Sequence, residues 1–294
     1  MMLLFGAWGK TGINCFMLIT GYFMCKSEIS GRKLLKLYLQ ITFYTLIIYL
    51  IFCITGHENL SPLKILWTIW PIKSLTSNDF VSCFLMFYLF IPFINILIKN
   101  LDGQSHLKLV ILLSLFYGFF PTIPLIPMTF SYVSWFMALY VIAAYIRLYG
   151  LCPKISRNQW GYISIILILV GAVSITGLEA IYKLGITSHY LPYFFVSDSN
   201  KLLSLLIAVS SFMYFKDLKI PHSRVINALG AATFGVLLIH ANSDTMRQWL
   251  WRETVDCVGH FGNPIAETQC CLLKLFIPET HNTKSLINRT NIIS

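Results

Sequence analysis

Gly9-Lys10-Thr11-Gly12-Ile13-Asn14-Cys15-Phe16-Met17-Leu18-Ile19-Thr20-Gly21-Tyr22-Phe23 runs into a stretch that carries Lys26, Arg32, Lys33 and Lys36. An apolar segment closed by basic residues is the mark of a helix leaving a bilayer on its cytoplasmic side. The pattern recurs along the chain. Eight apolar segments are expected, near Gly12 to Cys25, Leu37 to Ile54, Phe80 to Ile98, Leu109 to Phe120, Tyr132 to Ile146, Gly161 to Leu178, Leu202 to Phe215 and Ile226 to His240. Several are short for a hydrocarbon core of ~30 Å, which needs roughly 20 helical residues. Tilt and flanking aromatics make up the difference, or the spans extend beyond these edges.

The loops give the orientation. Twelve Lys and Arg fall after every second segment: Lys26, Arg32, Lys33, Lys36, Lys99, Lys108, Arg147, Lys154, Arg157, Lys216, Lys219 and Arg224. The opposite loops hold four: Lys64, Lys73, Lys183 and Lys201. The richer side is cytoplasmic by the positive-inside rule, so the chain begins outside, and a further helix before residue 1 is expected. No cleavable leader is visible, because Lys10 interrupts the first apolar run and no small-residue cleavage site follows.

Composition agrees with an all-α, polytopic helix bundle. Hydrophobic residues make up 56% of the chain and charged ones 12%, with a mean hydropathy of +0.70, more apolar surface than a soluble core absorbs. The net charge of +10 lies in short loops beside apolar runs, so topology accounts for it and no nucleic acid is implied. Residues 1–252 form the membrane domain, and 253–294 read as a polar tail.

The longer outer loops, Thr55 to Asp79 and Glu179 to Lys201, contain Trp67, Trp70, His57 and His189. Leu63 to Pro71 reads as an interfacial or re-entrant piece, or simply as a source of belt tryptophans. Pro121, Pro124 and Pro127 mark a stiff outer turn. Cys15, Cys25, Cys53, Cys83 and Cys152 lie in or beside spans and count as small apolar residues. Cys257, His260, Cys270, Cys271 and His281 in the tail match no zinc spacing, so no metal is expected.

Chemistry falls to polar groups within the spans or at their ends. Asn14 at membrane depth serves either an interhelical hydrogen bond or a polar lining. Thr20, Gly21 and Tyr22 close the first segment, and Arg32 follows, either as a topological charge or as a phosphate-binding fork. The small-residue run Gly230-Ala231-Ala232-Thr233-Phe234-Gly235-Val236-Leu237-Leu238-Ile239-His240 ends in an imidazole at the outer boundary. His240 is a candidate base for a sugar hydroxyl or an interfacial residue facing water.

These residues carry a resemblance. The first segment, ending in Thr20-Gly21-Tyr22-Phe23, resembles the second helix of the integral-membrane acyltransferase family known as acyltransferase 3, which shows a G-x-x-G-V-x-x-F-x-x-x-S-G-Y segment followed by a basic stretch. Ser134-Trp135-Phe136 with Leu139-Tyr140 resembles its W-F-x-x-x-Y helix, and Thr233 to His240 its late T-F-G-V-Y-L-I-H helix. The similarity runs in order through roughly residues 6 to 252.

The resemblance implies transfer of an acyl group, commonly acetyl, from cytoplasmic acyl-CoA to a hydroxyl of a cell-surface polysaccharide or other glycoconjugate, in a bacterial inner membrane. It places Tyr22 and Arg32 at the donor mouth and His240 on the acceptor side. Asn14, Thr20, Trp135 and Tyr140 become lining candidates, along with Ser134 and Thr233. The family's first helix, with its basic residue and His, has no equivalent here, and the tail replaces an expected later helix. The chain is therefore expected to be weakly active or inactive by itself. A transporter or flippase of glycan-related substrates is the alternative, although no internal repeat and no charge at the centre of a later span supports it. A scaffold without chemistry is the third reading.

Overall fold

The computed structural model describes residues 8–27, 30–70, 79–124, 126, 131–187, 191–219, 221–240 and 243–254. The Cys and His positions of the tail, together with His189, lie outside them. Every regular element among the described residues is helical: α1 (Gly9–Met24), α2 (Gly31–Ile54), α3 (Pro62–Ile69), α4 (Phe80–Lys99), α5 (Gly103–Ser114), α6 (Tyr132–Tyr149), α7 (Arg157–Lys183), α8 (Leu202–Phe215), α9 (Arg224–His240) and α10 (Asp244–Gln248). α5 continues through a π turn, Leu115–Phe119, and a 3-10 turn, Phe120–Thr122, while α10 continues through a π turn, Trp249–Thr254.

Five of the described helices are long and apolar enough to cross a membrane: α2, α4, α5 with its extension to Thr122, α6 and α7. α9 and the 244–254 helix pass that test only together, bent by 98°, and α8 is a shorter apolar helix. The sequence edges were too tight at several helices, most of all α2, α5 and α7. α7 has 27 residues because Ser156 and Gln159 form a capping box well before Gly161. α5 begins at Gly103 because the Asp102 carboxylate accepts from the backbone N–H groups of Gln104 and Ser105. Ser131 caps α6 in the same way, and Gly150, at φ +78, ends it.

The chain divides into two compact units, Met1–Ser30 with Phe87–His222, and Gly31–Met86 with Ser223–Ser294. α4 contributes its first turns to the second unit and the rest to the first.

In the first unit, side-chain contacts fix the helix directions. Lys10 meets Tyr132, Asn14 meets Trp135 and Tyr22 meets Arg147, so α1 and α6 run parallel. Cys15 lies against Ala208 and Tyr22 against Phe212, so α8 runs the same way. Phe87 meets Phe136 edge to face and Asn95 bonds Tyr140, which adds α4 to the set. α5 is antiparallel to α6, with His106 beside Tyr145 and Tyr117 beside Trp135. α7 is antiparallel to α8, with Ser164 on Ser211 and Ile175 on Val196. Among these six helices α1, α4, α6 and α8 thus run one way and α5 and α7 the other, an alternation compatible with the loop charges.

α1 can lie close to α6 because Gly21 has no side chain. A Cβ there would sit 2.8 Å from Ala143 Cβ and 3.0 Å from Tyr140 Cα. In the second unit, α2 and α9 pack through Ile41, Leu85 and Leu238, with Tyr38, Tyr44 and Phe234 around them. Farther along, Ile48 and Phe52 pack on Met246 and Trp249. Leu63, Leu66, Trp67, Ile69 and Trp70 on and beside α3 are all exposed.

Candidate functional site

Asn14 is fully buried and both ends of its amide are engaged. Its Nδ2 donates to the Ser199 carbonyl at 2.7 Å, and its Oδ1 accepts from Trp135 Nε1 at 3.0 Å. One side chain thus ties α1 to α6 and to the segment before α8. Around it the hydroxyls of Thr11, Ser199 and Ser204 are buried and have no hydrogen-bond partner in the structure. Cys15 faces Ala208, so one turn earlier on these parallel helices Thr11 and Ser204 share the α1–α8 seam.

The same end of the unit is braced from α5. Lys201 Nζ donates to the Pro121 carbonyl at 2.5 Å and lies 4.2 Å from the Phe194 ring, while the Thr122 hydroxyl accepts from Leu202 N–H at 2.9 Å. That hydroxyl supplies α8 with the cap that its own Lys201 does not.

Farther down α6, the Tyr140 hydroxyl donates to Asn95 Oδ1 at 2.8 Å, and Asn95 Nδ2 donates to the Met24 carbonyl at 3.4 Å. Tyr22 accepts from Arg147 Nη1 at 2.9 Å, and the guanidinium lies 4.6 Å from its ring centroid. Thr20 and Thr233 donate to carbonyls one turn back, those of Phe16 and Leu229, and Ser134 donates to the Ser131 carbonyl. These three hydroxyls are each occupied by their own helix or its cap.

Arg32 and His240 belong to the second unit. Arg32 is exposed in the first turn of α2, with Lys33 beside it. His240 is buried at the end of α9, and its Nδ1 lies 2.6 Å from the Val236 carbonyl. A carbonyl can only accept, so Nδ1 carries a proton, and in the neutral ring Nε2 keeps its lone pair. Nε2 is buried and has no partner in the structure.

Sequence reading passed over four of these partners. Arg147 counted only as a loop charge, and Asn95 was hidden in the apolar run Phe90 to Ile98, although an amide inside a span was itself the available signal. Ser199 acts through its main-chain carbonyl, which no sequence displays. Glu58, between α2 and α3, accepts from Lys64 and, at 2.5 Å, from the Thr245 hydroxyl. Among the described residues no group of three His, Cys, Asp or Glu side chains is placed to hold a metal ion.

A comparison with curated proteins and one with solved structures each gave no match. A comparison with protein-family models matched residues 1–266 to the acyltransferase domain of the acyltransferase 3 family. That match covers most of the chain, and the helical architecture with its membrane-length spans is what an integral-membrane acyltransferase requires. The chain belongs to the acyltransferase 3 family.

Proposed function

We propose that the protein is an O-acyltransferase of the bacterial inner membrane that moves an acyl group, acetyl by preference, from cytoplasmic acyl-CoA to a hydroxyl of a cell-surface polysaccharide or glycoconjugate. Residues 1–252 form the transferase domain, and 253–294 are an appended tail. The observation that carries the reading is the state of His240. Its Nδ1 proton is committed to Val236, which leaves Nε2 as an unshared acceptor in a site shielded from water. A neutral imidazole so oriented can take the proton of a sugar hydroxyl as that oxygen attacks the acyl carbonyl and can return it to the group that leaves, the acyl group having crossed the bundle from the cytoplasmic donor directly or by a covalent relay.

Donor recognition falls to the basic side. Arg32, Lys33 and Lys36 stand in the first two turns of α2, where the exposed backbone N–H groups add to their positive charge, an environment suited to the phosphates of a nucleotide-containing thioester. Tyr22, near the end of α1 with its ring held by Arg147, is the other donor-binding candidate. Asn14, Trp135, Tyr140 and Thr20 are the candidates for lining the path between donor and acceptor.

Acetyl-CoA binding separates this reading from a flippase, which needs no donor. Titration of the detergent-purified protein with acetyl-CoA should give saturable binding, weakened by about tenfold in Arg32→Ala through loss of one charge-assisted contact. Absence of saturable binding would favour the transporter reading. Unchanged affinity in the variant would reduce Arg32 to a topological charge.

A further inference from the structure

We propose that Arg147 is the centre of a phosphate-binding site in the first unit, held ready by Tyr22 and flanked by Lys26 and Lys99. The proposal rests on the reading of the chain as a transferase that uses acyl-CoA, whose nucleotide phosphates are the ligand in view. The phosphate of an anionic lipid headgroup has the same chemistry.

The site is built from the ends of parallel helices. Tyr22 stands in the last turn of α1, where its ring meets Phe212 of α8 edge to face at 5.3 Å. Arg147, in the last turn of α6, lies over that ring at 4.6 Å from its centroid and donates from Nη1 to its hydroxyl at 2.9 Å. Two contacts with different parts of one anchored ring fix the place of the guanidinium before any anion arrives, so less side-chain freedom is lost on binding. Nη1 uses one of the five N–H donors of the group on Tyr22, and those that remain can take two oxygens of one phosphate.

Two further cations come from neighbouring helices. Lys26 lies just past the end of α1, and its charge and that of Arg147 both act on the Cys25 thiol, which places the two around one point. Asn95 of α4 donates to the Met24 carbonyl, and Lys99 follows one helical turn later on the same face of α4. Lys26, Lys99 and Arg147 are all exposed, and among the described residues none of them is paired with a carboxylate, whereas Lys183 and Lys216 each have one beside them. All three belong to the cations that mark the cytoplasmic side by the positive-inside rule, the side on which a nucleotide-bearing donor is found. A charge that serves topology alone requires neither an aimed guanidinium nor partners gathered from other helices.

The test is titration of the full chain in neutral detergent with coenzyme A, beside native mass spectrometry of the phosphatidylglycerol that the same protein retains. Arg147→Ala should weaken coenzyme A by about tenfold or more and make its affinity fall less steeply with salt. Tyr22→Phe, which keeps the ring and the charge, should weaken it by about threefold with the salt dependence unaltered. If Arg147→Ala fails to fold, Lys26→Ala combined with Lys99→Ala decides, since it changes only exposed side chains; a several-fold weakening supports the site.

Coenzyme A affinity and lipid retention that both stay at the native level in the variant that decides would overturn the proposal. Loss of phosphatidylglycerol alone in Arg147→Ala would keep the phosphate site and assign it to lipid. The two readings fail separately: coenzyme A binding that Arg32→Ala weakens and Arg147→Ala leaves unchanged, with lipid retention also unchanged, keeps the donor and removes this site. A native chain that binds no coenzyme A, yet releases phosphatidylglycerol only when Arg147 is replaced, removes the donor and keeps the site.

Discussion

Asn14 engages both ends of its amide with protein partners, so its replacement is costly in a way that its size does not suggest. Asn14→Leu keeps the volume but leaves the Trp135 indole N–H and the Ser199 carbonyl without partners at a buried position. Each orphaned group costs about 1–3 kcal/mol, so thermal unfolding in detergent should shift clearly downward, and an unchanged midpoint would show that these bonds are not formed. Glu58 gives a pH-dependent counterpart. Its hydrogen bonds from Lys64 and then Thr245 hold its carboxyl below the usual range. Its contribution is therefore complete above the unfolded value of about 4.3 and is lost as pH falls through the lower folded value. Hydrogen exchange over residues 243–254, corrected for intrinsic rates, should lose protection on acidification toward the level of Glu58→Gln, which itself should lack that component. Equal pH dependence in the two proteins would dismiss the linkage.

At the scale of elements, glycine placement separates contact from mere composition. Gly21 lies under Tyr140 and Ala143, whereas a Cβ at Gly12 would meet nothing within 4 Å. Gly21→Ala must push α1 from α6 and should cost about 1–3 kcal/mol. Gly12→Ala, in the same helix, should be neutral or stabilising by up to about 1 kcal/mol. Comparable losses in both variants would contradict the α1–α6 packing. Both glycines belong to one sequence motif, and only the structure distinguishes them. The helices themselves were legible because an apolar run needs no partner to be recognised, and the basic loops gave their directions. Helix ends were less legible, since Asp102 and Ser156 set them from polar positions outside the apolar windows. The partner of Tyr22 was not legible at all. Arg32 is nearer in sequence, but parallel packing of α1 on α6 delivers Arg147.

For the whole molecule, the family match and the membrane-length helices describe a membrane acyltransferase whose candidate groups are divided between two units. His240 was visible in the sequence as a terminal His after a small-residue helix. Its tautomer was not, because that depends on the Val236 carbonyl one turn back. The central claim is that this imidazole serves acyl transfer from acyl-CoA to a glycan hydroxyl. The most direct measurement is incorporation of label from radioactive acetyl-CoA into envelope glycan by membranes containing the protein, beside membranes containing His240→Ala at equal abundance. In membranes holding a form of the protein that incorporates label, His240→Ala should lose about 10²-fold or more of that incorporation. Incorporation that His240→Ala leaves intact would contradict the claim.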